Sequence, residues 1–321
     1  MKKIFISILI IFILANLLFL GQVSANSLTE KFKPENNINT NTYSITNVNL
    51  ETNVVTEFDL PSIKAKENVQ SAGDINYSYE SIDPYIPEGS MISPNKIIGG
   101  DDRTRIQDTS LFPYHAIGRI EIKFNNDSNT YAGTAFMISK NVAVTAAHCV
   151  YDKDKGLASS ITIYPGAEGL NNNPYGSATT RNMLYPTVWA SDNDKNYDWA
   201  ILCLNTDIGN NCGWMGIRKF DDYKACIGQD VTLSGYPVKD AMVGWQYCHS
   251  GNIEGASENL LTYKLDMTSG QSGCPVYMWD GYAIGVNTRE YLIQSKNEAN
   301  RVNQFMFDTA SKAISDNQWK Y

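Results

Sequence analysis

The chain has 321 residues and a formal net charge of −8, with a sequence pI near 5.0. No cluster of Lys or Arg interrupts that acidic balance, which argues against nucleic acid or an anionic membrane as a ligand. No stretch beyond the first twenty residues is apolar enough to cross a bilayer, so no stable membrane association is expected once a leader is removed.

The chain opens with the positive head Met1-Lys2-Lys3, continues through the almost wholly apolar run Ile4 to Leu20, and reaches the small residues Val23-Ser24-Ala25. This pattern predicts a signal peptide over 1–25 and a secreted, extracellular product that begins near Asn26. An uncleaved anchor is the rival reading, because the apolar run is close to a spanning length. Residues 26–96 are rich in Asn, Ser, Thr and Glu and contain neither Cys nor Trp. Such a texture predicts a poorly packed segment, although Tyr43 to Leu60 alternates well enough for one or two strands.

From Ile97 to Tyr321 the chain is long enough for one domain with a substantial core. Short β-branched and aromatic runs broken by Gly, Asn and Pro predict an all-β fold, with strands at Ile117 to Phe124, Ile161 to Tyr164, Val231 to Tyr236 and Tyr282 to Val286. Only the tail, about 303–315, has helical spacing: Met306 with Ala310, then Ala313 or Ile314. No internal repeat is visible.

Three stretches carry chemistry. Asn141 to Val150 is an apolar strand that breaks into small residues before His148, and Asn196 to Leu204 places Asp198 at the head of another buried-looking strand. Asp266 to Tyr277 sets Ser272 inside Gly270-Gln271-Ser272-Gly273. Glycines let a backbone turn tightly, so a serine hydroxyl can project while the N–H groups of Gly270 and Ser272 face a developing oxyanion. Taken alone, that run is also an ordinary hairpin loop. A base, an orienting carboxylate and a nucleophile nevertheless follow in the order His, Asp, Ser. His115 and His249 lie outside any comparable block, and Asp192 and Asp194 lack an apolar strand behind them.

Thr145 to Cys149, Asp198 to Leu202 and Gly270 to Pro275 together resemble the catalytic blocks of chymotrypsin-fold serine proteases, with wording similar to the bacterial glutamyl endopeptidases. Ile97-Ile98-Gly99-Gly100, followed by Phe112-Pro113-Tyr114-His115, resembles the mature amino terminus of that family. The resemblance covers Ile97 to the C-terminus. It implies two six-stranded barrels of the trypsin type, the first over about 97–210 and the second over about 211–302, closed by a helix at about 303–315. His148 and Asp198 would sit on the first barrel and Ser272 on the second. The implied function is a secreted serine endopeptidase acting on proteins or peptides as a monomer without a cofactor, with His148, Asp198 and Ser272 catalytic and Gly270 and Ser272 forming the oxyanion hole. Residues 26–96 then become a propeptide of a zymogen rather than a plain linker, with cleavage after Lys96 or at a neighbouring bond.

Specificity departs from the family pattern. The family's histidine in the strand after the serine is Asn287 here, in Gly285-Val286-Asn287-Thr288. Asn287 can donate a hydrogen bond to a carboxylate but carries no charge. Thr268, Gly285, Asn287 and the freed amine of Ile97 are the expected substrate-binding groups, with Arg289 a further source of charge or a plain loop residue. Cleavage after Glu or Asp is what the resemblance implies; a narrow-target protease or toxin of different specificity, and a silent binding protein on the same fold, are the alternatives. Gln271 replaces the aspartate through which the digestive branch couples its new terminus to the oxyanion hole.

Cys149, Cys203, Cys212, Cys226, Cys248 and Cys274 in an exported chain predict disulfides, with the pairing open. Many relatives of the fold have a cysteine just before the glycine at 133, bridged to the one after the histidine, but here Tyr131 and Ala132 stand there. No metal site is expected. The runs Asp152 to Gly156 and Asp192 with Asp194 lack the closing Glu of a calcium loop, and the pairs His148-Cys149 and Cys248-His249 lack zinc-ligand spacing.

Overall fold

The computed structural model describes residues 43–60, 78–88, 90, 103–291 and 296–316. The expected signal peptide over 1–25, the processing bond after Lys96 and the Ile97 terminus lie outside the described residues. Four short strands come first: β1 (Tyr43–Asn49), β2 (Val54–Leu60), β3 (Tyr79–Ile82) and β4 (Thr104–Arg105). Next are β5 (Ile117–Phe124), β6 (Asp127–Ser139), β7 (Val142–Thr145), β8 (Tyr151–Asp152), β9 (Gly156–Pro165), β10 (Ala178–Pro186) and β11 (Ala200–Leu204). The second half holds β12 (Gly216–Phe220), β13 (Asp230–Gly235), β14 (Tyr247–Ala256), β15 (Leu260–Tyr263), β16 (Pro275–Tyr277), β17 (Tyr282–Tyr291) and β18 (Lys296–Arg301), with a helix over Gln304–Ser315.

Two closed barrels result, as the resemblance implied. In the first, the ladder runs β10-β11-β7-β6-β5-β9, and β9 returns to β10. In the second it runs β13-β14-β15-β18-β17-β16, and β16 returns to β13. Period-two patterning explains the walls. Along β5, Ile120, Ile122 and Phe124 turn into the core while Lys123 faces water. The run Ala200 to Leu204 is buried at every residue because β11 lies between β10 and β7.

The C-terminal helix begins where Asn303 accepts the Met306 N–H at 2.9 Å, an N-cap that satisfies one of the orphan donors of the first turn. Its buried face is Phe305, Met306, Ala310 and Ala313, and Phe305 meets Trp199 edge-on with ring centres 5.0 Å apart. Burying a side chain of the size of Phe305 or Met306 contributes about 1.5–3 kcal/mol, which holds a helix of this length that would be marginal alone.

Residues 43–60 and 78–88 are less loosely packed than their composition predicted. β1 pairs with β10 from Ile45↔Pro186 to Asn49↔Asn182, and β2 covers its other edge. Ile45, Val48 and Leu60 are 0%, 3% and 4% exposed and belong to the core of the first barrel. β3 pairs with β12, which runs parallel to β17 beside the second barrel. Three fully buried apolar residues suffice here, with Leu50 and Phe58 partly buried beside them, because the sheet edge of β10 supplies the rest of the surface they bury against.

The cysteine expectation needs correction. All six are free and buried. Cys149, Cys203 and Cys212 lie in the first-barrel core, Cys226 and Cys274 in that of the second, and Cys248 in a small cluster with Ile106 and Tyr114. Each thiol fills its own apolar space. Burial pushes the thiols of Cys203 and Cys212 up to about 12 and those of Cys226 and Cys248 to about 11, so none of these four forms a nucleophilic thiolate near neutrality. The sequence register also shifts. A Cβ built on Gly133 would stand 3.1 Å from Cys149 Sγ, so the empty half of that bridge is Gly133 rather than Tyr131 or Ala132.

Candidate active site

Antiparallel pairing explains how two distant residues meet. Ala200 on β11 faces Thr145 on β7, so the end of one strand lies beside the start of the other. His148 follows β7 in a 3-10 turn over Ala147–Cys149, and Asp198 closes a second such turn immediately before β11. Asp198 is 1% exposed. Its Oδ1 accepts the His148 backbone N–H at 2.9 Å, and its Oδ2 lies 2.9 Å from Nδ1. One carboxylate therefore holds both the backbone and the ring of His148, and it fixes the proton on Nδ1, leaving Nε2 as the basic nitrogen.

The His148 side chain is still 31% exposed. Burial lowers its proton affinity, but the Asp198 charge and, secondarily, the Cys149 sulfur raise it, and the balance lies well above the ordinary imidazole range. The neighbouring carboxylates have other work. Asp194 caps its own turn by accepting the Asn196 N–H, and Asp152 accepts the N–H groups of Asp154 and Lys155 and pairs with Lys155 Nζ. His115 is buried with Nδ1 against the Cys212 carbonyl, and burial pulls its proton affinity down. His249 accepts the Asp266 N–H at Nδ1, 2.7 Å away.

Ser272 lies on the loop between β15 and β16, on the second barrel, and two threonines of the first barrel couple it to the histidine side. Thr134 donates its N–H to the Ser272 carbonyl and its Oγ1 to the Gly270 carbonyl, both at 2.8 Å. Thr145, three residues before His148, donates to the Thr134 carbonyl at 2.8 Å. Among the described residues no hydrogen bond joins Ser272 Oγ to His148, as is common in a site without substrate.

The two glycines around Ser272 are dictated by space as well as by backbone. Gly273 has φ +84, and a Cβ there would sit 2.2 Å from the Thr134 carbonyl and Thr145 Oγ1; Gly270 has φ +91 with the Tyr236 carbonyl 2.5 Å from its missing Cβ. Among the described residues, the N–H groups of Gly270 and Ser272 enter none of the backbone hydrogen bonds of this loop, whereas those of Gln271, Gly273 and Cys274 do. Two backbone donors of the turn are thus without a backbone partner.

Asn287 lies beneath this loop. It is 0% exposed, its Nδ2 donates to the Gln271 carbonyl at 3.0 Å, and its Oδ1 accepts the Tyr263 hydroxyl at 2.6 Å. Its backbone carbonyl accepts the Gly273 N–H, and its own N–H donates to Cys274. Thr268 exchanges bonds with Gln271, giving its N–H to Oε1 and accepting the Gln271 N–H. Gly285 is a ladder position between Val276 and Arg301. The structure thus brings His148 and Asp198 into contact and sets Gly270, Ser272, Thr268 and Asn287 around one loop. Thr134 and Thr145 escaped the sequence reading, because a threonine in a strand carries no mark of the cross-barrel bond it makes.

Residues 106–307 match the family described as Trypsin. The chain belongs to the trypsin family. Relatives of this trypsin-family chain include the extracellular metalloprotease of Bacillus subtilis (strain 168), 39% identical over 58% of this chain and 58% of that protein. Another is the glutamyl endopeptidase of Bacillus licheniformis, 36% identical over 64% of this chain and 62% of that protein. The chain thus spans about three fifths of the length of these relatives. A solved structure of Glu endopeptidase in complex with MPD superposes with a TM-score of 0.61, at 25% identity, over 69% of this chain and all of that one. The name of the first relative raises the question of a metal. Among the described residues no three His, Cys, Asp or Glu side chains are grouped to hold one.

Proposed function

We propose that this chain is a secreted serine endopeptidase that hydrolyses peptide bonds in proteins or peptides through an acyl-enzyme on Ser272. The observation that carries the reading is the His148–Asp198 pair held next to a glycine-flanked serine by the Thr134–Thr145 link. His148 Nε2 takes the Ser272 proton as Oγ attacks the carbonyl carbon, and then returns it to the leaving amine. Asp198 keeps the imidazole in the required tautomer and stabilises its charged form. The N–H groups of Gly270 and Ser272, which have no backbone partner, receive the oxyanion, each typically worth about 3–4 kcal/mol in the transition state. Water then attacks the ester, with His148 as base again.

The names of the glutamyl endopeptidase relatives favour cleavage after Glu or Asp. One observation favours a second reading, an endopeptidase of different specificity: Asn287 is 0% exposed, its Oδ1 accepts from Tyr263 and its Nδ2 donates to the Gln271 carbonyl, so one buried, uncharged N–H of that amide is all it has left for a substrate carboxylate. The deciding experiment incubates the processed protein with a diverse peptide mixture and maps every cut by mass spectrometry beside a Ser272→Ala control. The control should lose roughly a millionfold in turnover. Cuts confined to bonds after Glu or Asp support the glutamyl reading, cuts elsewhere support the second, and equal cutting by the control discards the serine mechanism.

A further inference from the structure

The first barrel closes on a short seam. β9 and β10 share only the pairs Ala178↔Ile163 and Thr179↔Thr162. The rest of that edge of β10, Asn182 to Pro186, is taken by β1 in five consecutive pairs. Beyond the ladder, the Leu50 N–H donates to the Arg181 carbonyl at 2.8 Å and Glu51 pairs with Arg181 Nε at 2.9 Å. Side chains reinforce the strand on both faces. Thr46 and Thr187 share a hydroxyl hydrogen bond of 2.9 Å, Asn182 donates to Asn47, and Ile45 and Val48 enter the barrel core. A strand added to an open sheet edge with its apolar side chains buried is a general mode of peptide capture.

The second part of the same segment grips the other half. β3 pairs with β12 at four positions, the Tyr85 ring packs tilted against Trp214 with ring centres 4.5 Å apart, and Asp83 accepts the Tyr282 hydroxyl at 2.8 Å. One line of contacts leads towards the site. The Tyr43 ring stacks on Phe305 at 4.4 Å, Phe305 meets Trp199 at 5.0 Å, and Trp199 follows Asp198.

We propose that Tyr43–Leu60 and Ser78–Glu88 form a permanent strap that stays docked as a separate peptide after the chain is cut within residues 91–102, and that this strap braces the segment carrying Asp198. The surface it occupies, the free edge of β10 with the C-terminal helix and β12, is a binding site for this chain's own N-terminal segment. A released propeptide would expose the β10 edge and open the space filled by Ile45 and Val48. The mature particle is therefore two-chained.

The test replaces residues 91–96 of the full chain by the recognition sequence of a site-specific protease, in a Ser272→Ala background so that no self-cleavage intervenes. After cutting, size exclusion and native mass spectrometry should give one particle of unchanged mass, with both pieces recovered only on denaturation. Hydrogen exchange across Trp199 to Leu202 should be as slow as in the uncut chain. Ile45→Asp with Val48→Asp should release the N-terminal piece on cutting and speed that exchange at least tenfold. The milder Tyr43→Ala with Glu51→Ala, which leaves the core residues in place, should shorten the lifetime of the cut particle even if the first pair does not fold. Quantitative release of the unmodified strap, with the remaining chain folded and its exchange unchanged, would overturn the proposal. The readouts are mass and exchange, so they stand or fall apart from peptide-bond cleavage.

Discussion

The two sides of the site are held by different forces. His148 and Asp198 are fixed by a charge interaction inside the apolar wall where β7 meets β11. The loop carrying Ser272 is fixed by neutral hydrogen bonds: Thr134 to Ser272 and Gly270, Asn287 and Thr268 to Gln271, and Tyr263 behind Asn287, with two glycines admitting the close approach. A charge pair governs when the site is protonated, whereas a neutral network governs where its atoms stand. Breaking the first should change both rate and pH dependence, and breaking the second should change rate and stability alone.

Asp198→Asn is the largest such break. A drop of roughly 10⁴ in kcat is expected, because the amide favours the wrong imidazole tautomer. The intact protein should show a rising limb of kcat/KM whose midpoint lies above the ordinary imidazole value of 6.5, since protonated His148 cannot accept the serine proton and Asp198 favours that protonated form. In the variant the limb should move to lower pH, because burial still disfavours the charge and its partner is gone. The sign for stability is opposite: a folded-state affinity raised above the unfolded value stabilises the fold fully below about pH 6.5 and ceases to do so as pH rises through the folded value. A pH–rate profile of both proteins with one peptide, plus denaturation at two pH values, checks each part.

Asn287→Leu breaks the neutral side. It strands the Tyr263 hydroxyl and the Gln271 carbonyl in the interior, at about 1–3 kcal/mol for each unpaired group. Thermal unfolding should fall accordingly, and kcat should drop for acidic and neutral peptides alike, with the rising limb of the pH profile unmoved. A loss confined to acidic substrates would show instead that Asn287 reads the side chain beside the cut bond.

Gly133→Cys sharpens the comparison with the smallest effect, by stiffening the histidine side without touching the serine loop's donors. The missing Cβ stands 3.1 Å from Cys149 Sγ, close to the separation of about 3 Å between a Cβ and the far sulfur implied by disulfide bond lengths. A bridge closing a loop of this size adds roughly 3 kcal/mol in the chain-entropy description. The melting temperature of the oxidised variant should rise by several degrees and return to that of the parent protein on reduction, with little change in kcat.

Much of this arrangement was legible in the residues. The run Ile117 to Phe124 is β5 to the residue, the tail helix begins one residue after the predicted start, and His148, Asp198 and Ser272 each stood in a block whose wording resembled one family. Local patterns record local structure, since period-two burial and glycine at a crowded turn are written where they act. The cysteines misled because their number and the exported context suggested pairing, while their spacing says nothing about which apolar compartment each one fills.

The all-β class, the order His, Asp, Ser and the turn at Gly270 and Gly273 can be read from the residues alone, because they depend on residue type and short-range spacing. The folded chain alone reveals that Thr134 and Thr145 tie the serine loop to the histidine side, that Asn287 engages both ends of its amide inside the protein, and that Tyr43 to Leu60 covers the edge of β10 beyond the seam. Each of these joins residues far apart in the chain by one or two hydrogen bonds or a few buried side chains. Contacts of that kind are made by pairing register and barrel closure, which no local stretch of residues encodes.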